Sequence, residues 1–187
     1  MSSIPSGRLL AVVDIVYSVL WTGVWWAAVL GAAHGHPWLG ALLALVPLAL
    51  AAAVRPQRTV LLVSVAVLIG LLVDATLSLT GLTLYGGSLM SPSWMWALWA
   101  LLGAALPGCL AAVASRPWAA LLFGAIGGPL AYVGGAQLGA MTLPAGTLPA
   151  ILGIGAAYAL AVPLLARIAV LTDPATPRPR APATVPS

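Results

Sequence analysis

Six apolar runs, each close to the length a helix needs to cross a bilayer, dominate this chain and leave it few other ways to fold. They cover residues 9–32, 38–54, 59–79, 94–114, 118–140 and 148–171. A helix rises about 1.5 Å per residue, so roughly 20 residues cover a hydrocarbon core about 30 Å thick. The second run is the shortest, but Trp38 and Arg55 at its ends suit an interface on each side. The 187 residues are 62% hydrophobic and 5% charged, with a mean hydropathy of +1.10. A soluble domain of this size cannot hide that much apolar surface, so the expected solvent is lipid. The expected fold is all-α: a single bundle of six transmembrane helices over 1–171, then a tail over 172–187. That tail carries five Pro and no apolar run, and reads as a disordered extension. The first run is too long for a signal peptide and contains Asp14 and several Trp, so it reads as a retained helix.

Charge placement orients the bundle. With six crossings, the N-terminus, the second and fourth connections and the C-terminus share one side. Arg8, Arg55, Arg58, Arg116, Arg178 and Arg180 fall there, and Arg167 sits in the last turns of the sixth run. The opposite connections, 34–37, 80–93 and 141–147, hold no Arg or Lys. Cytoplasmic loops carry the excess of Lys and Arg, so the chain is expected N-in and C-in. The pI near 10.0 rests on seven Arg against three Asp, scattered singly. Nucleic-acid binding needs a dense basic face, which is missing. Arg-only, Ala-rich usage suggests a GC-rich bacterial genome. The Trp residues lie mostly near run ends, as interfacial belts do. Cys109 is the sole cysteine and allows no disulfide framework. No internal repeat stands out, so inverted-repeat transporter logic gains no support.

Asp74 is the awkward charge. It stands about five residues from the far end of the third run, roughly 8 Å below the interface. Gly70, Asp74, Leu77, Ser78 and Gly81 share one helix face, small and polar, which should point into the bundle. No Arg or Lys lies on that side, so the carboxylate must be protonated, accept hydrogen bonds, pair with a His or hold a cation. Two readings stand side by side: a hydrogen-bond hub that fixes helix register, or a proton acceptor or ligand anchor. Gln137 is expected at a similar depth and able to donate to Asp74, and His34 is a further candidate partner. Tyr132 and Tyr85 complete the candidate polar cluster. His34 and His36 with one Asp lack the spacing and extra ligands of a metal site, so no metal is expected. Asp14 lies on the arginine side, where a salt bridge or snorkelling near the interface explains it without a functional role.

The fifth run is rich in glycine. Gly124/Gly128 and Gly135/Gly139 form small-x-x-x-small pairs that let another helix backbone approach. Pro129 removes a backbone donor near the middle of that run, and Pro47, Pro107 and Pro163 add similar kinks elsewhere. No phosphate loop, Ser-His-Asp order, HExxH or CxxC pattern is present, so no cofactor is implied and no enzyme class is named.

Several blocks carry a resemblance. Gly70-x-x-x-Asp74, Pro92-x-Trp94-Met95-x-x-Leu98-Trp99, Gly124-Ala125-x-Gly127-Gly128-Pro129-Leu130-x-Tyr132 and Gly135-Ala136-x-Leu138-Gly139-Ala140 resemble a family of small bacterial inner-membrane proteins, the domain of unknown function 2878 family. The similarity runs from the first apolar run to the sixth, and the glycine-rich block is its most specific part. The stretch Ala104-Ala105-Leu106-Pro107-Gly108-Cys109 departs from the more polar sequence of the family. The resemblance implies a membrane-lipid context and carries over no catalytic residue. The leading functional expectation is an accessory membrane protein that binds a lipid-phase ligand or a membrane protein through Asp74, Gln137, Tyr132, Tyr85 and His34. The alternatives are a membrane-embedded lipid-modifying enzyme with Asp74 as acid/base, and a small transporter or flippase using the kinked fifth helix.

Overall fold

The computed structural model describes residues 7–173. The proline-rich tail beyond Asp173, with Arg178 and Arg180, lies outside the described residues. Among the described residues the fold is all-α, with seven helices: α1 (Gly7–Ala33), α2 (Trp38–Val54), α3 (Pro56–Leu79), α4 (Ser93–Ala105), α5 (Ala111–Ala114), α6 (Pro117–Gln137) and α7 (Thr147–Leu171). Four of them, α1, α3, α6 and α7, are long and apolar enough to cross a membrane, while α2 and α4 are shorter apolar helices. Leu68 and Leu72 on α3, Ile126 and Leu130 on α6, and Leu152 and Leu160 on α7 are exposed on the outside of the bundle. Such a belt is what lipid-facing helices present.

The fourth apolar run does not form one helix. α4 stops at Ala105, and the chain turns through Gly108 N–H to Ala105 O (3.0 Å) and Leu110 N–H to Ala105 O (3.0 Å) before α5 begins. Pro107 cannot donate its share of the helical ladder, and its ring crowds the preceding turn. Pro47, Pro129 and Pro163 remain inside α2, α6 and α7. What differs at Pro107 is its neighbour. A Cβ on Gly108 would collide with the Asp14 carboxylate and stand 3.2 Å from Arg55 Nη1, so the chain here is shaped to receive an ion pair.

α4 is the axis of the bundle. It is apolar all round, and ten of its 13 residues are buried, as expected of a helix enclosed on every side. It packs on α1, α2 and α3; α3 in turn packs on α7, and α7 on α6. Glycines set the closest approaches. A Cβ at Gly103 would lie 2.5 Å from Leu62 O of α3, and one at Gly40 of α2 would strike Ala28 of α1. α1 packs on α2 and α4, and α6 on α7 and α5, which leaves the seam between α1 and α6 loosely closed.

Arginines tie one end of the bundle together. Arg55 Nη1 and Nη2 donate to Asp14 Oδ1 (3.0 Å) and Oδ2 (3.1 Å), joining the α2–α3 corner to α1. Arg58 donates to Asp173 Oδ2 (3.1 Å) and to Ala169 O (2.8 Å) at the end of α7. The corner itself follows from Val54-Arg55-Pro56: a residue before proline avoids helical dihedrals, and proline suits the first turn of the next helix.

Candidate functional site

Asp74 is fully buried on the α3 face formed by Gly70, Asp74, Leu77 and Ser78. Gly70 makes room for the Trp99 indole of α4, which occupies the place a Cβ would take. That contact sets Trp99 one turn from Asp74. Beyond α3, Gly81 adopts φ +72°, with Leu82 N–H bonded to Leu77 O (2.8 Å) and Gly81 N–H to Ser78 O (3.0 Å). This helix end needs a left-handed residue, which glycine supplies without steric cost. The connection that follows folds back over the bundle. Leu84 and Thr142 exchange backbone hydrogen bonds of 2.9 and 2.8 Å, joining it to the α6–α7 connection. The result buries Thr83, Tyr85 and Ser91 against the end of α3.

The carboxylate therefore meets donors and no cation. Ser91 Oγ–H donates to Asp74 Oδ2 (2.7 Å), and the Tyr132 hydroxyl of α6 donates to Oδ1 in a very close contact. The Tyr158 hydroxyl of α7 donates to that of Tyr132 (3.3 Å). Two further donors, the Tyr85 hydroxyl and Trp99 Nε1, are buried beside the same carboxylate without completing a hydrogen bond. Tyr85 packs edge-on to Trp94 at 6.1 Å. Burial first, and the Asp74 carboxylate second, push its phenol above the ordinary tyrosine range.

Next to this cluster lies a cavity of about 130 Å³. Trp21 and Trp25 of α1, Trp94 and Trp99 of α4, Tyr132 of α6 and Tyr158 of α7 form most of its aromatic wall, and no charged side chain lines it. Tyr158 is the hinge of the wall. It lies 4.8 Å from the Trp99 ring at a 30° tilt and 5.7 Å from Tyr132 edge-on. Gly128 admits it, since a Cβ there would stand 2.5 Å from Tyr158 Cγ. Gly124 brings α6 onto the α7 backbone at Tyr158 in the same way.

Of the residues singled out in the sequence, Asp74, Tyr132 and Tyr85 converge, and Gln137 and His34 stand apart. Gln137 is exposed at the last position of α6. Five residues beyond Tyr132, it points about 140° away around the helix at ~100° per residue. His34 is exposed, and its Nδ1 lies 2.8 Å from Leu30 O at the end of its own helix. Neither therefore serves Asp74; Ser91 and Tyr132 do. Gly135 faces the Met141 side chain, and Gly139 lies beyond α6 with φ +87°, so this pair ends a helix where Gly124/Gly128 packs one. Trp94 and Trp99 are core residues rather than interfacial ones, whereas Trp26, Trp38, Trp96 and Trp118 are exposed. Asp14 meets the arginine partner its position called for. Among the described residues, no three His, Cys, Asp or Glu side chains gather.

Three site residues escaped the sequence reading: Ser91, Trp99 and Tyr158. Tyr158 had a signal, since Ile154, Tyr158, Ala161 and Leu165 repeat at helical spacing along the inner face of α7. Ser91 had none, because only the fold of its connection brings it to α3.

Residues 14–164 match the family model described as Protein of unknown function (DUF2878), and the chain belongs to that family. No curated protein and no solved structure matches it.

Proposed function

We propose that this member of the DUF2878 family is a bacterial inner-membrane protein that binds a ligand from the lipid phase, in an accessory rather than catalytic role. In this reading six segments cross the bilayer, with the arginine-bearing end in the cytoplasm. The observation that carries it is the aromatic cavity beside Asp74, with Trp21, Trp25 and Phe123 partly exposed at its rim between α1 and α6. Apolar concave sites with a few converging polar groups are where small ligands bind. Here the polar group is a chain of hydroxyls, Tyr158 to Tyr132, ending on an intramembrane carboxylate.

The test is to extract the protein with its surrounding lipid in polymer-bounded discs and compare bound lipids between wild type and Gly127→Leu. Gly127 lines the cavity and has open space above it, so the leucine fills the cavity without disturbing a helix contact. The expected result is one lipid species enriched over the bulk membrane in wild type and depleted in the variant. Identical lipid profiles would reject the reading.

One observation favours a second reading, a lipid-modifying enzyme. The same hydroxyl chain links an ionisable group to the cavity and would carry a proton to or from a bound molecule. A precursor lipid that accumulates in a deletion strain, and persists when Asp74→Asn is supplied, is the result that would favour it.

A further inference from the structure

We propose that the occupant of the cavity is an uncharged lipid with a compact, hydroxyl-bearing ring as its head. The ring sits against Trp99 and Tyr158, and the apolar chain leaves between α1 and α6. The proposal rests on the ligand-binding reading above and narrows it to a chemical class.

Size comes first. The cavity measures about 130 Å³. An apolar cavity of about 150 Å³ in another protein takes up benzene, so the room here is that of one ring and not of a phospholipid head with its glycerol. The remainder of a membrane lipid must project from the cavity, and the loosely closed α1–α6 seam is where it can. Phe123, Trp21 and Trp25 flank that seam and are partly exposed. Charge comes second. Among the described residues the wall holds no charged side chain, and a phosphate head would be buried there without a counter-ion. Shape comes third. A wall of indoles and phenols offers faces and edges to a flat ring, in the offset and edge-on arrangements aromatic groups prefer.

The hydroxyl follows from the direction of the hydrogen bonds. Tyr132 gives its proton to Asp74, and Tyr158 gives its proton to Tyr132. With Asp74 ionised, each hydroxyl proton in the chain is spent. What Tyr158 retains is lone pairs on its oxygen, which accept a hydrogen bond and cannot give one. A ligand that completes the chain must itself donate, and a ring hydroxyl is the simplest uncharged group that does so. A ketone or ester head would leave the Tyr158 oxygen without a proton to accept.

The experiment uses the full chain in phosphatidylcholine nanodiscs, with a brominated para-nonylphenol as a contact quencher of tryptophan emission. Trp21, Trp25, Trp94 and Trp99 line the cavity, so a ring seated there quenches them at saturable occupancy. Unbrominated para-nonylphenol, nonylbenzene and pentadecanol compete, each scaled to its mole fraction in the membrane. Para-nonylphenol should displace the quencher at about tenfold lower mole fraction than nonylbenzene, the ratio expected from one neutral hydrogen bond. Tyr158→Phe should erase the difference between those two while still binding nonylbenzene. Gly127→Leu should abolish saturable quenching. Equal displacement by nonylphenol and nonylbenzene in wild type would overturn the hydroxyl, and stronger displacement by pentadecanol would overturn the ring. Quenching unaffected by Gly127→Leu would place the probe elsewhere and overturn the site. If the class fails in any of these ways while a native lipid is still lost from Gly127→Leu, the ligand-binding reading survives without it. If no native lipid is enriched either, both fall.

Discussion

Asp14 and Asp74 are two carboxylates in one apolar bundle, and the chain accommodates them in opposite ways. Asp14 has a permanent counter-ion, held bidentate by Arg55 near the end of the bundle. Asp74, fully buried, has hydroxyl donors instead. A hydrogen bond to a charged group contributes about 1.5–3 kcal/mol, so Ser91→Ala should cost roughly that range if the carboxylate is ionised, and about 1 kcal/mol if it is neutral. Thermal unfolding in detergent checks this, and the same measurement thereby reports the charge state. Asp74→Asn keeps the shape and one acceptor, so it should fold with a smaller loss than Asp74→Leu, which strands both donors. A larger loss for Asn than for Leu would mean that the two hydroxyls are not what holds the site. The sequence pointed to Asp74 because a carboxylate with no cation nearby is conspicuous in an apolar run. It could not point to Ser91, a loop residue among other hydroxyls whose role exists only once the connection folds back. Gln137 was attractive for its depth alone, and depth says nothing about which way a helical side chain faces.

Helices were legible where their limits are written locally, and less so where a neighbour sets them. The α2–α3 corner could be placed from Arg55-Pro56 alone, and the inner face of α3 from the spacing of Gly70, Asp74, Leu77 and Ser78. Gly139 reads equally well as a packing glycine or as a helix stop, and the structure uses it as the stop. Four prolines look alike in sequence, and only Pro107 ends a helix, because Gly108 after it lies under the Asp14–Arg55 pair. This makes a coupling prediction. Gly108→Ala pushes a methyl into that pair, and Arg55→Ala leaves Asp14 without its partner. Each should destabilise by about 1–3 kcal/mol, and the double variant by clearly less than their sum, since both damage one interaction. Additive losses would separate the break in α4 from the ion pair. Gly70→Ala tests the other contact that organises the site. A methyl there meets the Trp99 ring, so overpacking should cost about 1–3 kcal/mol and lower the near-ultraviolet dichroism of the aromatic cluster.

At the scale of the whole molecule, the short α4 and the enclosing helices explain one another. Its 13 residues cover about 20 Å, well short of a hydrocarbon core about 30 Å thick. Together with the turn and α5, the same segment runs on to Ala114. Irregular backbone is tolerated at membrane depth only where protein, not lipid, surrounds it. Leu106 and Pro107 are buried, and the ring of α1, α2, α3 and α7 supplies that surround. An unbroken lipid-facing helix was never required at this position, so the apolar run could carry Pro107-Gly108 where protein encloses Leu106 and Pro107. In the proposed topology α4 through α5 count as one crossing of six, which puts Gln57 and Ser88 on opposite faces. Both lie on connections or first turns and are exposed, so single cysteines there, with Cys109 first replaced by Ala, are readable by labelling. A membrane-impermeant maleimide added to intact spheroplasts should label Ser88→Cys at once and Gln57→Cys only after permeabilisation, as the proposed topology with the arginines beside Gln57 on the cytoplasmic side requires. Labelling of both from outside would mean that α2 or the α4–α5 segment does not cross. Labelling of Gln57→Cys alone would invert the bundle, and the carboxylate of Asp74 would then lie near the cytoplasmic leaflet, where a ligand would have to be drawn from lipids of that leaflet instead.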